Sequence, residues 1–155
     1  MLNESNHITF EVANLTDIYL LQETLKRVYG KSPWSYTIFW SELIRKNTSR
    51  YLKVFNNYHY VGFIGIRTDE TEAHITNIAV LPSHQNQGFG YLLLKEGESF
   101  ARAKGCLTIS LEVKKSNIVA IELYKKYGYF VTGIKQKYYK ENNEDALEMT
   151  YVLEG

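Results

Sequence analysis

The chain has 155 residues, 45% of them hydrophobic and 23% charged, a length and composition that suit one globular domain, expected over 1–155, with roughly 68–70% of its unfolded surface buried. Eighteen Lys and Arg against 17 Asp and Glu leave a net charge of +1, which removes the electrostatic case for a nucleic-acid or membrane partner. One cysteine, Cys106, excludes an intrachain disulfide and fits a reducing compartment; with a polar start at Leu2-Asn3-Glu4-Ser5-Asn6 and no apolar run of spanning length, the expected location is cytoplasmic.

In chain order, residues 8–12 alternate as a first strand. Asn14 is placed to cap a helix running to about residue 29, with Leu15, Ile18, Leu21 and Leu25 on one stripe and Gly30 at its end. Ser35, after Pro33-Trp34, is expected to cap a second helix with Phe39, Leu43 and Ile44 inward. Strands at 51–55 and 58–67 are joined at Asn56-Asn57, a good tight-turn pair. A polar turn over 68–72 leads into a strand at 73–81. The third helix is expected over about 88–104 with Gly105 as its C′ residue. A strand at 107–113, a helix at 117–127 ended by Gly128, and an antiparallel pair at 129–138 and 146–153 complete the chain. No repeat or composition break interrupts it. The expected class is mixed α/β (α+β), with seven strands and four helices in the order β-α-α-β-β-β-α-β-α-β-β.

The segment carrying most information is Asn77-Ile78-Ala79-Val80 followed by Gln85-Asn86-Gln87-Gly88-Phe89-Gly90-Tyr91. A strand that turns into a glycine-rich helix start leaves unpaired backbone N–H groups and about half a positive charge, which suit a phosphate-bearing ligand. A plain tight strand-to-helix turn would read the same way. The G-x-x-x-x-G-K-[ST] spacing is absent, and Leu93 stands where a dinucleotide fingerprint needs its third glycine.

Three further residues carry chemistry. Glu112 alternates with Thr108 and Ser110, opposite Ile109, Leu111 and Val113, a pattern that a solvated strand face also produces. Tyr124, on the fourth helix, is either a packing residue or a phenol donor. Asn117 is placed to cap that helix. His7, His59, His74 and His84 lack metal-ligand spacing, so no metal is expected and they read as surface or loop residues. Cys106 reads as a small buried hydrophobe.

Taken together, the Gln85–Gly90 hexapeptide, Leu111-Glu112-Val113, Ser116-Asn117 and Leu123-Tyr124 resemble the acyl-CoA site of the GCN5-related N-acetyltransferases (GNAT), over nearly the whole chain. Leu111-Glu112-Val113 with Ser116-Asn117 and Leu123-Tyr124 looks like the RimI-like branch, whose members acetylate the N-terminal alanine of a ribosomal protein. The resemblance implies the GNAT fold, a mixed, mostly antiparallel central sheet of about seven strands flanked by four helices, with a bulged strand splaying the sheet at the acetyl-CoA site, and acetyl-CoA as cosubstrate. It assigns main-chain pairing with the pantetheine arm to Ile78, Ala79 and Val80. The pyrophosphate cradle falls to Asn86, Gln87, Gly88, Phe89, Gly90 and Tyr91, and a contact to the CoA arm to Asn117. Close relatives often carry arginine where Asn86 and Gln87 stand, so backbone donors and a weak salt dependence of cofactor binding are expected. Glu112 becomes the general base and Tyr124 the general acid. Tyr138 and Tyr139, with the loop at 31–36, would line a groove for a peptide N-terminus; a tyrosine-rich edge hairpin without a ligand is the plain alternative.

Proton arithmetic favours that acceptor. An α-amine with a pKa near ~8 is about a tenth neutral at pH 7, whereas a lysine near ~10.4 costs about 3 kcal/mol more to deprotonate. The expected acceptor is the N-terminal amine of a protein, which the resemblance implies is a small-subunit ribosomal protein with N-terminal alanine; a small-molecule amine or a lysine side chain is the rival acceptor, and a non-catalytic acyl-CoA-binding module the rival of another class. An open sheet edge is compatible with a monomer or a weak dimer.

Overall fold

The computed structural model describes residues 2–153; Met1, Glu154 and Gly155, the ends of the expected 1–155 span, lie outside the described residues. Its elements are β1 (Ile8–Val12), α1 (Ile18–Tyr29), α2 (Tyr36–Leu43), β2 (Ser49–Asn56), β3 (His59–Asp69), β4 (Glu72–Val80), α3 (Phe89–Ala103), β5 (Thr108–Lys114), α4 (Ile118–Tyr127), β6 (Phe130–Tyr139) and β7 (Glu144–Val152). One seven-stranded sheet runs in the order β1-β2-β3-β4-β5-β7-β6. Every neighbouring pair is antiparallel except β4 with β5. No helix among the described residues is long and apolar enough to cross a membrane.

The central strands of the sheet are covered on both faces. Ile18, Leu21 and Leu25 of α1 and Phe39 of α2 pack with Tyr51 and Phe63 on one side. Phe89, Leu93, Leu94 and Phe100 of α3 pack over Ile64 and Ile109 on the other. This explains the nearly continuous apolar run of β3, whose residues from Val61 to Ile66 are all buried, as a strand covered on both faces requires.

Local chemistry sets the helix ends. Asn14 and Asp17 form a capping box around a 3₁₀ turn at Leu15–Asp17, which opens the first helix more tightly than expected. Asp17 also receives Lys53 at 3.1 Å, so the cap residue neutralises a buried lysine. Ser35 accepts from the Ile38 N–H and Asn117 from the Ala120 N–H, each capping its helix. Gly30 and Gly105 end α1 and α3 with φ of +85° and +77°.

Two expectations are corrected. The β2–β3 turn lies one residue later than expected, at Asn57-Tyr58, with φ of +50° and +70° and Asn56 paired to His59; positive φ at both central residues is the type I′ signature. Ile44 is 48% exposed because α2 stops at Leu43 and Ile44 is its C-cap. Glu42 takes the inward place instead, bonded by Arg67 at 3.2 Å and Ser49 at 3.4 Å.

The feature that creates a site is in β4. Gly65 pairs with Asn77 and Ile66 with Ile75, leaving Thr76 as an extra residue, a β-bulge that bends its strand. The Tyr51 ring crosses directly over Gly65, where a Cβ would come within 2.1 Å of it, and reaches the Thr76 hydroxyl at 2.7 Å. β4 pairs with β5 only from Glu72 to His74, opposite Thr108 to Ser110. Beyond that point the two strands separate.

Candidate active site

The gap between β4 and β5 opens into two adjoining cavities. The first, of about 410 Å³, is lined by Glu112, Tyr124, Tyr138 and Tyr139, with Trp34 and Lys31 from the α1–α2 loop. The second, of about 1060 Å³, runs from the free edge of β4 to the start of α3 and the side of α4. Tyr29, Ile78, Lys114, Asn117 and Tyr124 line both.

The second cavity has the makings of an anion and amide receptor. Gly88 takes φ +99° at the α3 N-cap with no side-chain cap, a conformation glycine adopts freely. The backbone N–H groups from Asn86 to Tyr91 have no acceptor among the described residues, so a cluster of unpaired donors lies at a helix N-terminus in the cavity wall. Along β4, the Leu81 N–H donates to the Val61 carbonyl. Antiparallel alternation then turns the polar groups of Ala79 toward β3 and those of Ile78 and Val80 toward the gap. Both outward carbonyls are held by side chains: Tyr29 Oη donates to the Ile78 carbonyl at 2.6 Å and Gln85 Nε2 to that of Val80 at 2.9 Å.

Of the residues assigned to the cofactor in the sequence, Ile78, Ala79, Val80, Asn86, Gly88, Phe89, Gly90, Tyr91 and Asn117 line this cavity. Gln87 does not, its side chain donating to the Ser83 carbonyl at 3.3 Å. Ala79 is 3% exposed, its methyl in the core beside Phe63. Phe89 is likewise a core residue. The orphan N–H cluster, the unpaired strand edge and the cavity's length fit a phosphorylated ligand with an amide-bearing arm.

In the first cavity Glu112 is held by several groups. His74 Nε2 lies 3.1 Å from Oε1, Tyr138 Oη donates to the same oxygen at 3.3 Å, and Lys135 Nζ stands 3.4 Å from Oε2. The side chain is only 8% exposed, unlike the solvated strand face that alternation alone also allowed. Burial pushes the carboxyl up, but His74 and then Lys135 outweigh it and hold it below the usual carboxylate range. Tyr124 is buried, and that burial raises its phenol well above its ordinary value, so it is protonated throughout the physiological range. Its hydroxyl has no hydrogen-bond partner among the described residues.

The outer wall joins two distant segments. Glu141, in the β6–β7 turn, pairs with Lys31 of the α1–α2 loop at 3.4 Å and with Lys114 of β5 at 3.6 Å. Tyr138 and Tyr139 lie nearly perpendicular, 5.1 Å apart. Sequence reasoning missed Tyr29, His74 and Lys135. His74, a surface or loop residue by its sequence context, sits in β4 at the vertex of the splay, its Nδ1 3.3 Å from Ser110 Oγ. No group of three or more His, Cys, Asp or Glu among the described residues could hold a metal.

The Acetyltransferase (GNAT) family model matches residues 14–129. A Haemophilus influenzae relative named [Ribosomal protein bS18]-alanine N-acetyltransferase is 35% identical over 135 residues, 83% of this chain and 92% of its own. A Bacillus subtilis relative provisionally given the same name is 38% identical over 118 residues, 76% of this chain and 78% of its own. The crystal structure of the ribosomal-protein-S18-alanine N-acetyltransferase from Escherichia coli superposes with a TM-score of 0.83 at 29% identity, covering 96% of this chain and 97% of that one.

Proposed function

The chain belongs to the GNAT acetyltransferase family and is an acetyl-CoA-dependent N-acetyltransferase; from that premise we propose that its acceptor is the N-terminal alanine amine of a ribosomal protein, with Glu112 and Tyr124 serving the transfer. The observation carrying the reading is that Glu112 and Tyr124 line one cavity while Tyr124 also lines the next. A proton acceptor and a proton donor thus flank the junction where amine and thioester would meet.

Acetyl-CoA, when bound, supplies the activated acyl group. In this reading the N–H groups of residues 86–91 hold its pyrophosphate, and the outward N–H groups of Ile78 and Val80 receive the carbonyls of its arm. Asn117, at the α4 N-cap, adds a polar side chain where both cavities meet. Glu112, ionised at neutral pH, binds the incoming α-ammonium and relieves it of a proton, directly or through one water. Because His74 and Lys135 stabilise the carboxylate, Glu112 is a better ammonium anchor than a proton store. That suits an amine of pKa near ~8 far more than a lysine near ~10.4. Tyr124 donates to the sulfur as negative charge develops there; a thiolate of pKa about 8.5 is less basic than this phenol, so hydrogen bonding carries the stabilisation before full proton transfer. Tyr138 and Tyr139, with Trp34 opposite, form the walls for the first residues of the peptide.

The test is mass spectrometry of two matched peptides incubated with the protein and acetyl-CoA, one with a free N-terminal alanine, the other N-terminally blocked with an internal lysine. Acetylation of the alanine peptide alone is expected. Acetylation of the lysine peptide instead would replace this acceptor with a side-chain or small amine. Acetylation of neither would leave an acyl-CoA-binding module.

A further inference from the structure

We propose that Tyr29 sets the acyl-chain length this enzyme accepts, admitting acetyl and excluding longer chains at the junction of the two cavities. The inference rests on the acetyltransferase reading and deepens it. Tyr29 is the last residue of α1, and the Gly30 N–H closes the helix on the Lys26 carbonyl at 2.8 Å, which fixes the backbone from which the side chain projects. The phenol spans the gap to β4 and donates to the Ile78 carbonyl at 2.6 Å. Tyr29 and Ile78 both line the amine-side and the CoA-side cavity, so the pair forms a bar between them, with Tyr124 as the third wall.

An acyl carbon passed from a thiol in one cavity to an amine in the other must sit where the cavities meet. The remainder of the acyl chain then points at the junction walls. Moving Tyr29 aside would break its bond to the outward Ile78 carbonyl. The neighbouring outward carbonyl, that of Val80, is held by Gln85, an exposed residue on the loop before α3. Both donors are exposed side chains, but Gln85 lines only the CoA-side cavity whereas Tyr29 lines both, so the CoA arm meets Gln85 and the acyl chain meets Tyr29. A methyl group fits this arrangement, and each added methylene presses on the Tyr29 ring.

The experiment compares acetyl-, propionyl- and butyryl-CoA as donors to the alanine peptide for the wild type, Tyr29→Ala and Tyr29→Phe, with thermal midpoints to verify folding. Calorimetry of CoA and butyryl-CoA binding gives a readout independent of turnover. The wild type is expected to lose about tenfold or more in kcat/KM from acetyl to butyryl, the scale of methylene discrimination by a snug pocket. Tyr29→Ala should largely erase that ratio and strengthen butyryl-CoA binding relative to CoA. Tyr29→Phe, which keeps the ring and loses the bond, should fall between. A wild type indifferent to chain length, or a ratio unmoved in both variants, overturns the proposal. Were no acyl group transferred to any amine, the acceptor reading would fail, while unchanged relative binding of butyryl-CoA in the variants would separately overturn the role of Tyr29.

Discussion

His74 Nε2 and Glu112 Oε1 lie 3.1 Å apart at the vertex where β4 and β5 part. Residues 38 positions apart in sequence are brought together because the short parallel pairing opposes His74 to Ser110, and the period of two then puts Glu112 on the same face. The imidazole is held at both ring nitrogens, so it anchors the carboxylate in a fixed orientation, and Lys135 and Tyr138 complete the set. The candidate base is thus one charge in a preorganised cluster.

Glu112→Gln removes the negative charge that receives the ammonium while keeping the side chain's size. Turnover of the alanine peptide at neutral pH should fall by about 10²-fold or more, the usual scale for a positioned acid–base group. Acetyl-CoA binding, measured by calorimetry, should stay near wild type. Unchanged turnover would remove Glu112 from the chemistry.

The pH dependence follows from the direction of the Glu112 shift. With the carboxyl held below the usual range, it stays ionised throughout the range in which the α-amine titrates, so the rise of kcat/KM with pH should track the free α-amine and level off near ~8. Replacing His74 by Gln takes away the main opposition to desolvation, and the carboxyl pKa should rise. An added acid-side inflection at higher pH than in the wild type is then expected in the pH–rate profile. A profile unchanged in shape would show that the imidazole does not tune Glu112.

Tyr124→Phe deletes a hydroxyl that has no hydrogen-bond partner among the described residues, so the folded state should lose little. Its thermal midpoint should stay close to that of the wild type. The rate should drop by about 10²-fold if the phenol supports the departing sulfur. A rate equal to wild type with an intact fold would assign Tyr124 to packing alone.

Legibility tracked the range of the interactions. Asn14, Ser35, Asn117, Gly30 and Gly105 were readable because caps are satisfied within a few residues of themselves. The individual strands were readable from alternation and their sheet from the family resemblance, and the phosphate-cradle segment from its glycines. The β2–β3 turn was misplaced by one residue because Asn56-Asn57 and Asn57-Tyr58 both offer an asparagine to a tight turn, and cross-strand register decides between them. Tyr29, His74 and Lys135 were invisible for a different reason. Their partners are a backbone carbonyl 49 positions away and a carboxylate reached only across paired strands. Sequence spacing carries no trace of such contacts until the register is known.

Gly65→Ala tests the origin of the splay. The added Cβ would fall 2.1 Å from Tyr51 Cε2, and Tyr51 is fully buried, so the ring has nowhere to retreat. Overpacking of this kind costs about 1–3 kcal/mol, a drop in thermal midpoint on the order of 5 °C for a domain of this size. Moving the ring also breaks its bond to Thr76 at the bulge, so CoA affinity should fall along with stability. Stability lost with CoA affinity intact would separate the bulge from the Tyr51–Gly65 contact.

Salt dependence sets backbone donors against side-chain charge. The absence of arginine at Asn86 and Gln87 led to the expectation of weak dependence. The structure adds Lys114, Lys125 and Lys126 to the wall of the CoA-side cavity, with Glu122 offsetting one of them. These lysines face the cavity from β5 and α4, where a phosphorylated ligand would lie between them and the N–H groups of residues 86–91. Screening shortens from about 10 Å at 0.1 M salt to about 3 Å at 1 M, so charge used across the cavity should fade over that range. CoA dissociation constants measured by calorimetry across it should weaken by on the order of tenfold. In the Lys125→Gln, Lys126→Gln double variant the same titration should be much flatter, because the backbone donors sit in direct contact range and are little screened. A flat response in the wild type would restore the sequence expectation and leave the α3 N-terminus as the sole anchor of the phosphates.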